Sequence, residues 1–333
     1  MTDLLLTSGI SIFVVGTAIL IFLSTGRTVG DESDILPKLL VMQVLLNWPH
    51  FLVSYKLLYG RRENVRAYPL ATIIVPLVLL AVVGAAMLPA FGGAGPTAMN
   101  LEISYALWVF AALYLAWHYT GQAWGVMMTF AHLSDLQINS RERLMLRGGF
   151  RVLILWHVVW GIQTLPSYSV LTPFQTDIAM SIVNILGICA FLVGALTLLQ
   201  IARRSGNLDL RIAGAWLAIY LWYLLLWIAP AAFLLVQLSH ALQYMIFPAR
   251  VELNTHPRKG VITRLGFLYA ACVLGGLLVF YLPELWFVSP VGNPTIGTIF
   301  GVLVNIHHYY TDSAIWKLRR SDVQSRLFKH LDH

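Results

Sequence analysis

Residues 211–250, RIAGAWLAIYLWYLLLWIAPAAFLLVQLSHALQYMIFPAR, run between two arginines without another charged side chain. At ~1.5 Å per residue, one unbroken helix of that length far exceeds the ~30 Å of a bilayer's hydrocarbon. Pro230 stands at the middle of the run. Proline removes a backbone donor and crowds the preceding turn, so it can break a helix there. The segment reads as two short spans joined by a tight turn near Ala229–Pro230.

Working outward, further apolar runs lie near 4–24, 35–59, 68–91, 102–131, 149–168, 177–201, 265–283 and 294–315. The 333 residues are 58% hydrophobic and 11% charged, with mean hydropathy +0.74. A soluble chain carries about 25% charged residues. That deficit excludes an ordinary water-soluble domain, and disorder needs the opposite balance. The start, Met-Thr-Asp-Leu-Leu-Leu, lacks the basic region of a cleaved signal, so the first run is expected to stay as a helix. Cys189 and Cys272 both lie in apolar runs and form no ligand spacing; they read as small core residues.

The basic residues test the count. All of the 22 Lys and Arg except Arg27, Lys38 and Lys56 fall in five clusters: 61–66, 141–151, 203–211, 250–264 and 317–329. The connections around 92–101, 169–176 and 284–293 carry none. Positive charge is retained on the cytoplasmic side. All five clusters share that side only if an even number of crossings separates Arg211 from Arg250. The expected architecture is therefore an all-α, polytopic transmembrane helical bundle of about ten spans, with both termini cytoplasmic. It comprises one transmembrane domain over 1–316 and a basic cytoplasmic tail over 317–333, in a bacterial-type inner membrane. The formal charge of +7 then reflects orientation, and no nucleic-acid partner is expected.

Of ten histidines, His256, His330 and His333 lie in polar segments and His132 closes the fourth run. Six remain inside apolar runs: His50, His118, His157, His240, His307 and His308. All but His118 lie about ten residues, or ~15 Å at the helical rise, from a basic cluster. Imidazole in hydrocarbon needs a partner, and it is the commonest side-chain ligand for transition metals. Several at one depth read as a shared metal site, with a polar packing network or an ion path as the other readings. Gln122 follows His118 by one turn, Asp312 follows His308, and Gln243 and Tyr244 follow His240. These neighbours suit the second N–H of a ligating imidazole; plain interhelical hydrogen bonding suits Gln122 and Gln243 equally. Asp312 reads as a ligand, an acceptor behind a ligand or an interfacial charge. Tyr309 and Asp312, beside the paired histidines, are the candidate catalytic side chains. Pro49, directly before His50, is expected to kink its helix.

No HExxH, GxSxG or nucleotide-binding loop occurs. An all-imidazole set with few carboxylates suits non-haem iron that activates dioxygen. A site inside the bilayer would act on a lipophilic substrate (a carotenoid, isoprenoid or acyl lipid). Trp48, Trp117, Trp124, Trp156, Trp160, Tyr244, Tyr309 and Tyr310 could form its slot, although membrane packing explains most of them equally. Membrane desaturases carry HxxxH and HxxHH boxes, which this chain lacks. The polytopic layout and scattered intramembrane histidines resemble the Brp/Blh type of membrane β-carotene dioxygenase. The resemblance implies iron, cleavage of a carotenoid, and a ligand role for His50, His118, His240 and His308, with His157 and His307 as additional candidates. The other readings are a haem-binding membrane electron carrier, with haem on two histidines, and a proton or metal-ion transporter.

Overall fold

The computed structural model describes residues 2–4, 41–89, 92, 100–164, 171–228, 232–255, 260–282, 296–317 and 320–328. Helix is the regular structure throughout them, and no strand occurs among the described residues. In chain order the helices are α1 (Trp48–Tyr59), α2 (Arg62–Ala67), α3 (Val75–Pro89), α4 (Leu101–Leu133), α5 (Ser140–Thr164) and α6 (Pro173–Ser205), followed by α7 (Leu210–Ile228), α8 (Phe233–Thr255), α9 (Val261–Gly276), α10 (Ile296–Ile315) and α11 (Ser321–Phe328). The long run 211–250 is indeed two helices, α7 and α8. The Ala229–Pro230 turn, the first expected span, the Gly92–Pro96 loop as a whole, and His256, His330 and His333 lie outside the described residues.

Local sequence explains several boundaries. At α5 the side chain of Asn139 accepts from the Glu142 N–H at 3.0 Å, and Glu142 accepts from the Asn139 N–H at 2.8 Å. This reciprocal box starts the helix at Ser140, nine residues before the expected apolar run. Arg141, Arg143, Arg147 and Arg151 therefore lie on helix, not in a connector. Thr172 and Gln175 form the same kind of box on α6, and Gly206, at φ 74, ends it in the left-handed conformation.

π-Helical turns interrupt the pattern at Gln43–Asn47 before α1, Leu70–Ile74 before α3, and Leu277–Tyr281 after α9. Each is followed two residues later in sequence by a proline: Pro49, Pro76 and Pro283. A proline ring crowds the carbonyl one turn back and offers it no donor. Widening that turn to an i→i+5 bond, as from the Trp48 N–H to the Gln43 carbonyl, accommodates both defects. The expected kink at Pro49 thus takes the form of a π turn directly ahead of His50.

Among the described residues, five helical segments are long and apolar enough to cross a membrane: Leu70–Pro89, Ser140–Thr164, Pro173–Ser205, Leu210–Ile228 and Val261–Tyr281. On α6 the stripe Ile178, Ile182, Ile185, Leu192, Leu196 and Leu199 faces outward, while Met180, Val183, Leu198 and Ile201 are buried. Such an outward apolar stripe suits lipid rather than water. Helices α4, α8 and α10 have 33, 23 and 20 residues. They stand outside the five, and they carry most of the buried histidines, glutamines and Asp312.

The chain forms two compact units. Unit 1 comprises residues 1–39 and 115–246, and unit 2 residues 40–114 and 247–333; the boundaries fall inside α4 and α8. In unit 1, α5 and α6 pack along one another, and over half of α7 is buried. A Cβ on Gly194 would stand 2.7 Å from the Trp216 indole nitrogen, so glycine lets α7 approach α6 closely. In unit 2, α1 packs on α9 and α10. The segment expected as a basic tail contains α11, which buries Val323, Leu327 and Phe328 and accepts, at the Arg326 carbonyl, from Asn254 at 2.6 Å.

Candidate metal centre

In unit 2 the site is built where α1 meets α10. Trp48 packs over Gly276 of α9, where a Cβ would stand 2.7 Å from the Trp48 Cβ, and stacks on Phe280 at 5.4 Å. The Tyr55 hydroxyl donates to the Val304 carbonyl at 2.9 Å, tying α1 to α10. These contacts fix the helix face that carries His50 and Ser54 opposite the face that carries His308 and Asp312. All four side chains are buried, with His308 and Ser54 at 0% exposure.

The Asp312 carboxylate is divided between two tasks. Its Oδ1 accepts from the Ser54 hydroxyl at 2.8 Å. Its Oδ2 faces two imidazoles, at 3.6 Å from His308 Nε2 and 4.0 Å from His50 Nε2. The imidazole rings meet edge to face, with centroids 4.4 Å apart. One ligand atom from each of His50, His308 and Asp312 lies within 4.8 Å of the others. Phe51 covers His308 at a centroid distance of 4.3 Å and itself abuts Phe280, so an apolar wall closes one side. Two neutral nitrogens and one anionic oxygen, converging and buried, form a donor set for a divalent transition metal. Asp312 reaches His308 on its own helix, one turn away.

Unit 1 holds a second imidazole pair. His118 Nε2 of α4 and His240 Nε2 of α8 are 3.0 Å apart. Tyr119 tilts over His240 at 4.5 Å, and Trp222 stands edge-on to it at 6.1 Å. Gln122 donates to the His240 carbonyl at 3.1 Å and to the Gln243 side chain at 3.0 Å. Gln122 thus bridges α4 and α8 through the His240 carbonyl and the Gln243 side chain.

The other expected residues are placed differently. His307 Nε2 donates to the Ala71 carbonyl at 2.7 Å, and its ring stacks on Tyr55 at 5.2 Å, so it serves as an interhelical clamp beside the site. His157 has Trp160 and Tyr223 as ring neighbours, at 5.2 and 5.9 Å, and no imidazole among them. The Tyr309 hydroxyl donates to Asn305 at 2.9 Å, and its ring meets Tyr114 edge-on at 5.8 Å. Ser54 is the residue that sequence reading missed. It follows His50 by one turn, as Asp312 follows His308, and that shared spacing was the available signal.

No protein-family model, curated protein or solved structure matches the chain.

Proposed function

We propose that this chain is a multi-pass membrane metalloenzyme: a non-haem iron oxygenase acting on a lipophilic, polyene- or isoprenoid-like substrate. The observation that carries the reading is the convergence of His50, His308 and Asp312 within 4.8 Å in a buried position. Two imidazoles and one carboxylate on one face form the donor set of non-haem ferrous oxygenases, which leaves positions open for dioxygen and substrate. The Nε2 atoms of His50 and His308 and Oδ2 of Asp312 would hold the ion. When bound, ferrous iron supplies the electrons by which dioxygen is activated. Ser54 keeps Oδ1 occupied and Oδ2 aimed. Phe51 and Phe280 exclude water from one side and present an apolar surface to a hydrocarbon chain. In unit 1, His118 and His240 form a separate imidazole pair.

Haem suits these pairs less well. A haem on two histidines would need a gap between the imidazoles wide enough for the macrocycle. The two pairs here stand at 4.4 and 4.7 Å, with rings nearly perpendicular. The positive clusters at 61–66, 141–151, 203–211, 250–264 and 317–329 support about ten crossings, both termini cytoplasmic and the histidines in the cytoplasmic half. The layout shared with Brp/Blh-type dioxygenases agrees with this reading.

The test is optical and oxygen-electrode analysis of protein purified in detergent and loaded with ferrous ion. The expected result is iron without a Soret band, and dioxygen uptake that begins only when a carotenoid or another polyene is added. A Soret band, or a protein that binds iron but gives no uptake with any lipophilic polyene or isoprenoid, contradicts the proposal.

A further inference from the structure

Unit 1 carries a group of buried polar aromatic side chains that the metal reading does not use. On α5, His157 is 3% exposed and its Nδ1 has no hydrogen-bond partner among the described residues. The same holds for the Trp160 indole nitrogen and for the hydroxyl of Tyr223, which is 4% exposed. His157 adjoins both rings, at 5.2 and 5.9 Å. Trp156 completes the wall: it is nearly parallel to Trp160, at 14° and 6.2 Å, and edge-on to Tyr223 at 5.3 Å. Its own indole N–H is satisfied by Asn184 at 2.7 Å. In an apolar medium each unsatisfied donor is costly, commonly by more than a hydrogen bond is worth in water. Three together, one of them on the imidazole itself, mark a place for a guest.

The chemistry of the guest follows from the donors. An indole N–H only donates, a phenol O–H donates best, and imidazole donates through Nδ1 in one tautomer. The complement is an acceptor oxygen without a hydrogen of its own. The flat indole faces favour a planar ring beside that oxygen. The open space lies along α5. Gly161 follows His157 by one helical turn on the same face, and nothing stands within 4 Å of where its Cβ would be.

We infer that the α5–α7 face formed by His157, Trp160, Gly161 and Tyr223 binds the carbonyl-bearing ring of a lipophilic quinone, its ring against the tryptophans and its carbonyl oxygen on the Tyr223 hydroxyl. A phospholipid ester supplies the same carbonyl chemistry without the planar ring, and the experiment separates the two. The site is independent of the proposed metal centre, so each stands or falls alone.

The test uses full-length protein in detergent and titrates a decyl-tailed 1,4-benzoquinone against tryptophan fluorescence. Saturable quenching is expected. A decyl-tailed benzene lacking carbonyls should not compete, and a diacyl phosphatidylcholine should not displace the quinone. Tyr223→Phe should weaken binding about tenfold, the worth of one buried hydrogen bond. Gly161→Leu should abolish it by filling the space. Unchanged affinity in a folded Tyr223→Phe protein, equal competition by the carbonyl-free analogue, or displacement by the phospholipid each overturns the inference. Tyr223→Phe alters only one hydroxyl, so it gives an answer even where Gly161→Leu does not fold.

Discussion

The Ser54 hydroxyl, one turn beyond His50 on α1, donates to Oδ1 of Asp312 on α10 at 2.8 Å. It thereby turns Oδ2 toward the Nε2 atoms of His50 and His308. A carboxylate held by one oxygen has the other available to a cation in a fixed direction. Groups that orient ligands in this way commonly alter metal affinity by about 10–100-fold. Ser54→Ala is expected to lower iron affinity by roughly tenfold while the protein still inserts and folds. Competition with a chelator of known strength measures this. An affinity equal to that of the unaltered protein would mean that Ser54 does not orient Asp312.

Gly276 is expected to matter to the same centre from outside it. Its missing side chain admits Trp48, whose Cβ would stand 2.7 Å from an added methyl. Gly276→Ala must push α1 away from α9, at a cost of about 1–3 kcal/mol for an overpacked contact. Because Trp48 is two residues from His50, the variant should lose both thermal stability and metal affinity. Loss of stability with unchanged affinity would show that the seat of α1 does not govern the site.

The adjacent histidines should behave oppositely. His307 clamps the Ala71 carbonyl at 2.7 Å, whereas His308 faces Asp312. His307→Leu leaves a buried carbonyl without that donor, a loss of about 1 kcal/mol, and should lower the melting temperature with metal content unchanged. His308→Leu should lose metal. Metal analysis and thermal melts on the two variants settle the division of roles, and metal loss in His307→Leu would contradict it.

Much of the helical class was legible in the sequence because hydrocarbon demands long uncharged runs, and those runs are plain between the arginines. The split of 211–250 followed from length and Pro230. The start of α5 was hidden because its first turns are charged; the signal there was the Asn139–Glu142 box, not hydropathy. Helices α4, α8 and α10 interleave polar side chains with apolar ones, which weakens their apolar signal. Within the candidate site, the types and i,i+4 spacings of His50, His308 and Asp312 were readable. Which histidines converge was not. His157, His307 and His308 look alike in sequence, and only the rotation of each helix about its axis puts one against Asp312, one on a carbonyl and one among aromatic rings.

Orientation is open to a direct check. In a protein whose Cys189 and Cys272 are replaced by alanine, single cysteines at the exposed positions Arg62, Arg203 and Lys317, which lie on both sides of the 211–250 run, should all react with a membrane-impermeant thiol reagent from the same side. Labelling of one of them from the opposite side would break the even count of crossings on which the arrangement of about ten spans rests.

The most direct measurement is the metal content of the purified protein beside that of His50→Ala, His308→Ala and Asp312→Asn, after expression with added iron. The account predicts stoichiometric iron in the unaltered chain and loss of most of it in each variant, with detergent-solubilised protein of normal size and helicity. A chain that purifies without transition metal, or three variants that retain it in full, would contradict the claim that these buried side chains form a metal centre.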